Sequence, residues 1–197
     1  VRVGTATPPV TPTPQPQQPK PDSQTPQNTN IHTMILFNRA RIADLYNETA
    51  ATELQTKLAE LAKRDEVKGE IIRLDRNTQI SAAYTEWTSN ADNYRSVEKA
   101  NAVANSIRQM IMTYLGEHKD VQYILLVGDD RVLPFRRVPD TTTQQPEKSY
   151  TFASNNNPTG AAIQANYFLS DDFYSAKTPI QHQGHEIYVP DLTTGRL

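Results

Sequence analysis

One short apolar run, residues 123–127, constrains the fold of this chain more than any other feature of its sequence. It contains no polar side chain beyond the tyrosine hydroxyl, and it stops abruptly at Gly128. A run of this length between polar segments predicts a β-strand buried on both faces of a sheet. Similar runs at residues 34–37 and 70–75 predict two further strands.

Between these runs, apolar residues recur at helical spacing and predict helices. Leucines at 54, 58 and 61 predict one helix, with Asn47 or Thr49 as its N-cap and Gly69 past its end. A longer helix is predicted from Ser96, its N-cap, to Gly116. One face of it carries Ala100, Ala104, Ile107 and Ile111. Residues 78–90, around Tyr84 and Trp87, predict a short helix or an ordered excursion. Strands that alternate with helices predict an α/β domain, a mainly parallel sheet with helices on both faces.

Composition divides the chain into two parts. Residues 1–30 hold eight of the fourteen prolines and few apolar side chains, which predicts a disordered Pro/Thr/Gln-rich linker. Residues 31–197 form the predicted α/β domain. Within it we expect a long surface excursion at 131–165, a short strand or turn at 166–169, a polar loop at 177–184 and a last strand fragment at 186–189. The abrupt ending at Leu197, without a closing helix, leads us to expect a truncated or cleaved product.

Charge and residue usage exclude several classes of function. The net charge of −2 and the lack of any basic run longer than Arg136-Arg137 argue against a nucleic-acid partner. No apolar stretch approaches the roughly 20 residues that span a bilayer. The sequence has no cysteine, so it contains no disulfide, no thiolate metal site and no cysteine nucleophile. It also lacks the glycine-rich phosphate loops and the nucleophile elbow of serine hydrolases.

Two adjacent acids follow the best predicted strand. In an open parallel sheet, ligands bind beyond the carboxyl ends of the strands, where Asp129 and Asp130 are expected to lie. They could bind a metal, or one could orient a catalytic histidine. The alternative that we favour is that Asp129 bonds to loop amides and Asp130 is solvated. Gly128 would permit a sharp exit from the strand.

A second acidic set comprises Asp171, Asp172 and Asp191. Together with Asp129 these residues could supply oxygen ligands to a structural calcium ion, although their spacing matches no EF-hand. The pair His182 and His185 is expected to lie in a solvated loop and not to bind metal.

The chain closes on a Gly-Arg pair with a predicted structural role. We expect Gly195 to adopt a backbone angle closed to other residues, or to allow close packing. Arg196 is expected to form a partly buried, bidentate contact with one of the strand-end acids.

These motifs, taken in order, resemble the gingipain family of cysteine peptidases. The resemblance rests on the strand 123–127 with Gly128-Asp129, then Leu133-Pro134, then Asp171-x-x-Tyr174, then Asp191 with Gly195-Arg196. It covers residues 33–197, and the matching positions Gly128, Asp129, Asp171, Tyr174, Asp191, Gly195 and Arg196 are all scaffold.

The resemblance implies a three-layer, caspase-like fold, of which this chain would be the N-terminal portion. The family's catalytic histidine lies in a Gly-His-Gly context and its cysteine ends the next strand, and neither motif occurs here. The working residues would therefore come from the remainder of the domain beyond Leu197, and this chain alone is expected to be inactive. The resemblance further implies a protein or peptide substrate, an extracellular or cell-surface location in a bacterium, and calcium sites.

Two other functions stay open at this point. A non-catalytic scaffold or surface-adhesion module would keep the fold without the catalytic pair. A Rossmann-like domain could bind a nucleotide or metabolite at the strand ends, but the missing phosphate loop argues against it.

Overall fold

A computed structural model describes residues 30–149, 157–182 and 184–197. The strands are β1 Thr33–Phe37, β2 Gly69–Arg73, β3 Tyr123–Leu126, β4 Arg136–Pro139, β5 Tyr167–Ser170, β6 Ile180–His182, β7 His185–Ile187 and β8 Thr193–Arg196. The helices are α1 Arg39–Leu45, α2 Glu48–Ala62, α3 Thr78–Trp87, α4 Ala91–Arg95, α5 Val97–Glu117, α6 Pro158–Gln164 and α7 Asp172–Ser175. Short 3-10 turns lie at Leu74–Arg76 and Glu147–Ser149. The predicted linker falls outside the described residues, apart from Asn30.

The main sheet is parallel throughout and has the strand order β2-β1-β3-β8. Its central strand β1 is buried along its whole length. Successive side chains of β1 point to opposite faces: Met34 and Leu36 pack with α3 and α5, whereas Ile35 and Phe37 pack with α1 and α2. This confirms the predicted three-layer α/β architecture.

Local sequence signals explain where the main helices begin. The side chain of Asn47 accepts a hydrogen bond from the Ala50 amide, so Asn47 and not Thr49 caps α2. Ser96 caps α5 in the same way, through the Lys99 amide, as predicted. Gly116 does not end α5, which runs on to Glu117, and Gly69 opens β2.

The lone tryptophan lies at the centre of the layer formed by α3 and α5. Trp87 is fully buried, and its indole N–H donates to the Tyr94 carbonyl at 2.9 Å. Its ring lies 5.1 Å from that of Tyr94, centroid to centroid. Residues 78–87 of the predicted segment are therefore a helix whose aromatic face belongs to the core.

Several expectations for the second half of the chain were wrong. The segment 131–165 is more than a surface excursion: it contains β4 and α6, and it buries Val132 and Leu133. Strand β4 pairs antiparallel with β5 in a separate two-stranded sheet. The predicted loop 177–184 contains β6, which forms a hairpin with β7. Residues 150–156 of the predicted excursion lie outside the described residues.

The fourth strand of the main sheet was not predicted. Strand β8 has the sequence Thr-Thr-Gly-Arg, without an apolar run, because it forms an edge and pairs only with β3 in the described structure. None of the described helices is both long and apolar enough to cross a membrane.

Candidate functional site

The carboxyl ends of the parallel strands meet at one edge of the sheet, and Gly128 shapes that edge. It has a φ of +108°, and a Cβ placed there would lie 2.6 Å from the Cβ of Val132. Its N–H donates to the carbonyl of Leu197, 3.0 Å away, which ties the end of β3 to the end of β8. The predicted sharp exit from the strand is confirmed, and it needs glycine.

Asp129 organises the loop that follows. Its carboxylate accepts hydrogen bonds from the Arg131 amide at 2.9 Å and from the Arg131 guanidinium at 3.0 and 2.6 Å. Partial burial opposes ionisation of this carboxyl, but the Arg131 contacts prevail and hold its pKa below the ordinary value. The expectation that Asp129 bonds to loop amides is confirmed.

Asp130 points the other way, into the protein, and the expectation that it is solvated was wrong. Its carboxylate accepts from the Phe135 amide at 2.9 Å, the Arg137 guanidinium at 2.6 Å and the Thr159 hydroxyl at 2.8 Å. The side chains of Asp130 and Arg137 are only 5% and 1% exposed. A buried carboxylate with these partners is compensated for its lost hydration.

Arg137 is the residue that the sequence analysis missed. Its guanidinium also donates to the Phe135 carbonyl at 2.6 Å, and its own amide donates to the Asn101 side chain at 2.9 Å. It thereby joins β4, the loop after β3 and helix α5. No local pattern in the sequence signals that one arginine of the pair Arg136-Arg137 is buried.

Arg196 forms the predicted bidentate contact, and its partner is Asp171. The two nitrogen–oxygen distances are 2.9 and 2.5 Å. The same guanidinium donates to the carbonyls of Gly128 at 2.7 Å and Leu133 at 2.8 Å, and it stacks 4.0 Å above the Phe135 ring centroid. One side chain thus holds together the ends of β3, β5 and β8.

Gly195 departs from its predicted role. Its φ is not in the left-handed region, and a Cβ added there would meet nothing within 4 Å. The residue lies in the edge strand β8 and is exposed. Neither a special backbone angle nor close packing explains the glycine.

The remaining motif residues support α7. The Tyr174 hydroxyl donates to the Pro134 carbonyl, and burial raises the pKa of this phenol well above its ordinary value. Asp191 accepts from the Lys177 amide at 2.6 Å, which fixes the chain after α7. Asp172 begins α7, where a negative charge suits the helix dipole, and its side chain is exposed.

A further ionic pair closes the end of β2. The carboxylate of Asp75 accepts from the Arg73 guanidinium at 2.8 and 2.5 Å and from the Arg39 amide at 3.2 Å. Burial acts against ionisation, but the hydrogen bonds and charge of Arg73 hold the pKa of Asp75 below its ordinary value. Four acids at this edge, Asp75, Asp129, Asp130 and Asp171, are therefore each paired with an arginine.

The four proposed calcium ligands do not share a site. Both oxygens of Asp171 are taken by Arg196 and both of Asp129 by Arg131, while Asp172 and Asp191 serve α7. Within residues 30–149, 157–182 and 184–197, no three acidic or histidine side chains gather closely enough to hold a metal ion. The arrangement does not fit a common calcium site, and calcium binding stays a prediction from the resemblance.

A cavity of about 470 Å³ opens beside the loop after β3. It is lined by Asp129, Asp130, Arg131, Phe135, Asn157, Thr159 and Gly160. These residues include no cysteine, histidine or serine, and each of the two acids is neutralised by an arginine. The histidines His182 and His185 lie opposite one another in the β6–β7 hairpin, both exposed. Among the described residues, this edge of the sheet therefore carries no nucleophile paired with a base.

Comparison with known proteins gives one match. A family model described as Peptidase family C25 matches residues 45–197, more than three quarters of the chain. The matched region contains all the motif residues discussed above. Comparisons with curated proteins and with solved structures give no match.

Proposed function

This chain belongs to peptidase family C25, and we propose that residues 33–197 are the scaffold portion of a secreted bacterial cysteine endopeptidase of the gingipain type. The chemistry would use a thiolate–imidazole pair that attacks a peptide carbonyl through an acyl-enzyme. Because these 197 residues include no cysteine, the nucleophile must lie outside them. Protein or peptide substrates follow from membership of a peptidase family.

The observation that carries this proposal is the contact network of Arg196. The segments that bear the resemblance, after β3, around α7 and in β8, are the ones this guanidinium joins. Donors and acceptors in the network satisfy one another, so the side chains have the hydrogen-bonding pattern of a structural element. A rigid edge of this kind suits a role in positioning adjoining catalytic structure.

Cleavage assays on two proteins test the proposal. We expect the purified 197-residue chain to leave fluorescein-labelled casein intact, with or without a reducing agent. The full-length gene product is expected to cleave casein and to lose that activity after treatment with iodoacetamide. Cleavage by the 197-residue chain itself would refute the proposal.

A non-catalytic binding module is the second candidate. The missing cysteine and the mutually paired charges favour it to the same degree as they favour the scaffold role. The assay separates the two, because a binding module predicts that the full-length protein has no activity sensitive to iodoacetamide.

The proposed location is outside the bacterial cell or on its surface. It follows from the gingipain resemblance and from no contact in the structure. Fractionation of the source cells with an antibody against the chain would test it, and a signal confined to the cytosol would contradict it.

A further inference from the structure

A groove separate from the strand-end cavity lies between α5 and the segment that runs from α7 through the β6–β7 hairpin. It encloses about 780 Å³. Its lining combines apolar side chains with two arginines and includes Arg108, Met112, Arg136, Phe173, Glu186 and Tyr188. None of these residues carries the family motifs described above, so the groove has no role in the proposed function.

The floor of the groove is a fixed aromatic ring. Phe173 is 4% exposed, and its ring forms a T-shaped pair with that of Tyr188, at 90° and with the centroids 4.9 Å apart. The guanidinium carbons of Arg136 and Arg108 lie 4.6 and 5.1 Å from the Phe173 centroid. Stacking on this ring limits the freedom of both arginines and so pre-organises their charges.

Both charges lack a carboxylate partner. Arg108 donates to the carbonyls of Phe173, Ala176 and Lys177, and Arg136 donates to the side-chain oxygen of Asn105 at 3.0 Å. Neither belongs to an ion pair among the described residues, whereas the arginines at the sheet edge, at 73, 131, 137 and 196, all do. The groove thus holds two positive charges that form no ion pair among the described residues.

The acid Glu186 lines the same groove but is engaged elsewhere. Its carboxylate accepts from the Tyr188 hydroxyl at 2.7 Å, and it forms no ion pair with either arginine in the described structure. It would nevertheless repel an incoming anion. If binding depends on charge complementarity, loss of the Glu186 charge should therefore strengthen the binding of an acidic ligand.

Other apolar side chains are exposed on the hairpin face that points away from the groove, because they alternate along the strands with Glu186 and Tyr188. Ile180 and Ile187 face each other across the hairpin and are 49% and 41% exposed, and Val189 is 52% exposed. A two-stranded hairpin gains little stability by itself. Within the groove, Met112 and Tyr188 lie beside the two arginines. Apolar and charged side chains in one groove are typical of a surface that binds protein.

We propose that this groove binds a short acidic segment of a partner protein, in which a carboxylate contacts Arg136 and Arg108 and a neighbouring apolar side chain packs on Met112 and Tyr188. Planar guanidinium groups suit carboxylates because two parallel hydrogen bonds can form. The mixed lining favours a peptide, which supplies both the charge and the apolar contact.

Fluorescence anisotropy with the full chain tests this proposal. The probe is a fluorescein-labelled octapeptide of glycine, leucine and glutamate, and its control is the same peptide with glutamine in place of glutamate. We expect the glutamate peptide to bind and the substitution Arg136→Gln to weaken its binding about tenfold, as loss of one charge-assisted contact does. The glutamine peptide should bind about as weakly to the unsubstituted chain.

Two variants serve as opposite controls. Arg64→Gln removes an exposed arginine outside the groove and should leave the affinity unchanged. Glu186 is exposed, and Glu186→Gln should raise the affinity several-fold. Loss of folding would lower the affinity, so it cannot explain such a gain. Equal binding of the two peptides, an equal effect of the Arg64 and Arg136 substitutions, or no gain with Glu186→Gln would overturn the proposal.

Discussion

Strand β1 and the β6–β7 hairpin represent two extremes of one chain. Every residue of β1 is buried between two helical layers, whereas every described residue of the two hairpin strands is exposed. The first is held by apolar packing on both faces, and the charges at the sheet edge compensate one another. The second exposes its isoleucines, and the groove beside it holds two arginines that form no ion pair among the described residues. The comparison indicates that the sheet and its edge are built for stability, and that the hairpin surface is available for contacts with other molecules.

The largest effect is expected where a buried charge at the sheet edge would lose its partner. The substitution Arg137→Met leaves Asp130 buried without its cation and should lower the free energy of unfolding by about 3–5 kcal/mol. Urea denaturation followed by circular dichroism measures this. Arg131→Met is the matched control, because the Arg131–Asp129 pair is 45% and 47% exposed and should cost about 1 kcal/mol or less. Equal costs would contradict the difference that we draw between the two pairs.

Substitution of the two glycines of the family motifs should also lower the free energy of unfolding to different extents. Gly128→Ala forces a positive φ on alanine and places a Cβ against Val132, so we expect a loss of roughly 1–3 kcal/mol. Gly195→Ala meets no neighbour and should change the free energy of unfolding by about 0.5 kcal/mol or less. Thermal denaturation of both variants checks this, and a large loss at position 195 would restore the special role that we reject for that glycine.

The ionic pair at the end of β2 should make a pH-dependent contribution. The pKa of Asp75 is lower in the folded chain than in the unfolded one, so the pair stabilises the fold above the unfolded value of about 3.9. This contribution to stability is lost as the pH falls through the lowered pKa of Asp75 in the folded chain. Asp75→Asn should therefore cost roughly 1 kcal/mol at pH 7, and the gap to the unsubstituted chain should narrow at pH 3. A gap that stays constant between the two pH values in urea titrations would contradict this.

The smallest effect is expected when the same substitution, Ile→Val, is made in β1 and in the hairpin, which compares the two regions directly. Ile35→Val removes a methylene from β1 and should cost about 1 kcal/mol. Ile187→Val removes the same group from the exposed hairpin and should cost roughly 0.5 kcal/mol or less. Parallel urea titrations compare them, and similar costs would mean that the hairpin is packed as the sheet is.

The strands and helices with regular apolar patterns could be predicted, and those held by polar contacts could not. The runs at β1 and β3 and the capped helix α5 follow from short-range rules. Strand β8 escaped prediction because Thr193–Arg196 has no apolar run and gains its place by pairing with β3. The hairpin strand Ile180–His182 is too short and polar to give a period.

The site was predictable in its residue types but not in its pairing. The bidentate role of Arg196 follows from guanidinium chemistry, yet its choice of Asp171 depends on the tertiary fold. Asp129 and Asp130 are adjacent and chemically identical, and only Asp130 lies within reach of the buried partners Arg137 and Thr159. Such choices depend on contacts between residues distant in sequence, which a single sequence does not encode in any local pattern.

The burial of Trp87 has a practical consequence. Because the chain has one tryptophan, its tryptophan fluorescence comes from a single indole between α3 and α5, with the Arg137 guanidinium 5.8 Å from its ring. The wavelength and intensity of this emission will therefore report on the interior beside the Arg137–Asp130 pair, and no attached dye is needed. Stopped-flow fluorescence would show when this part of the interior becomes packed during refolding.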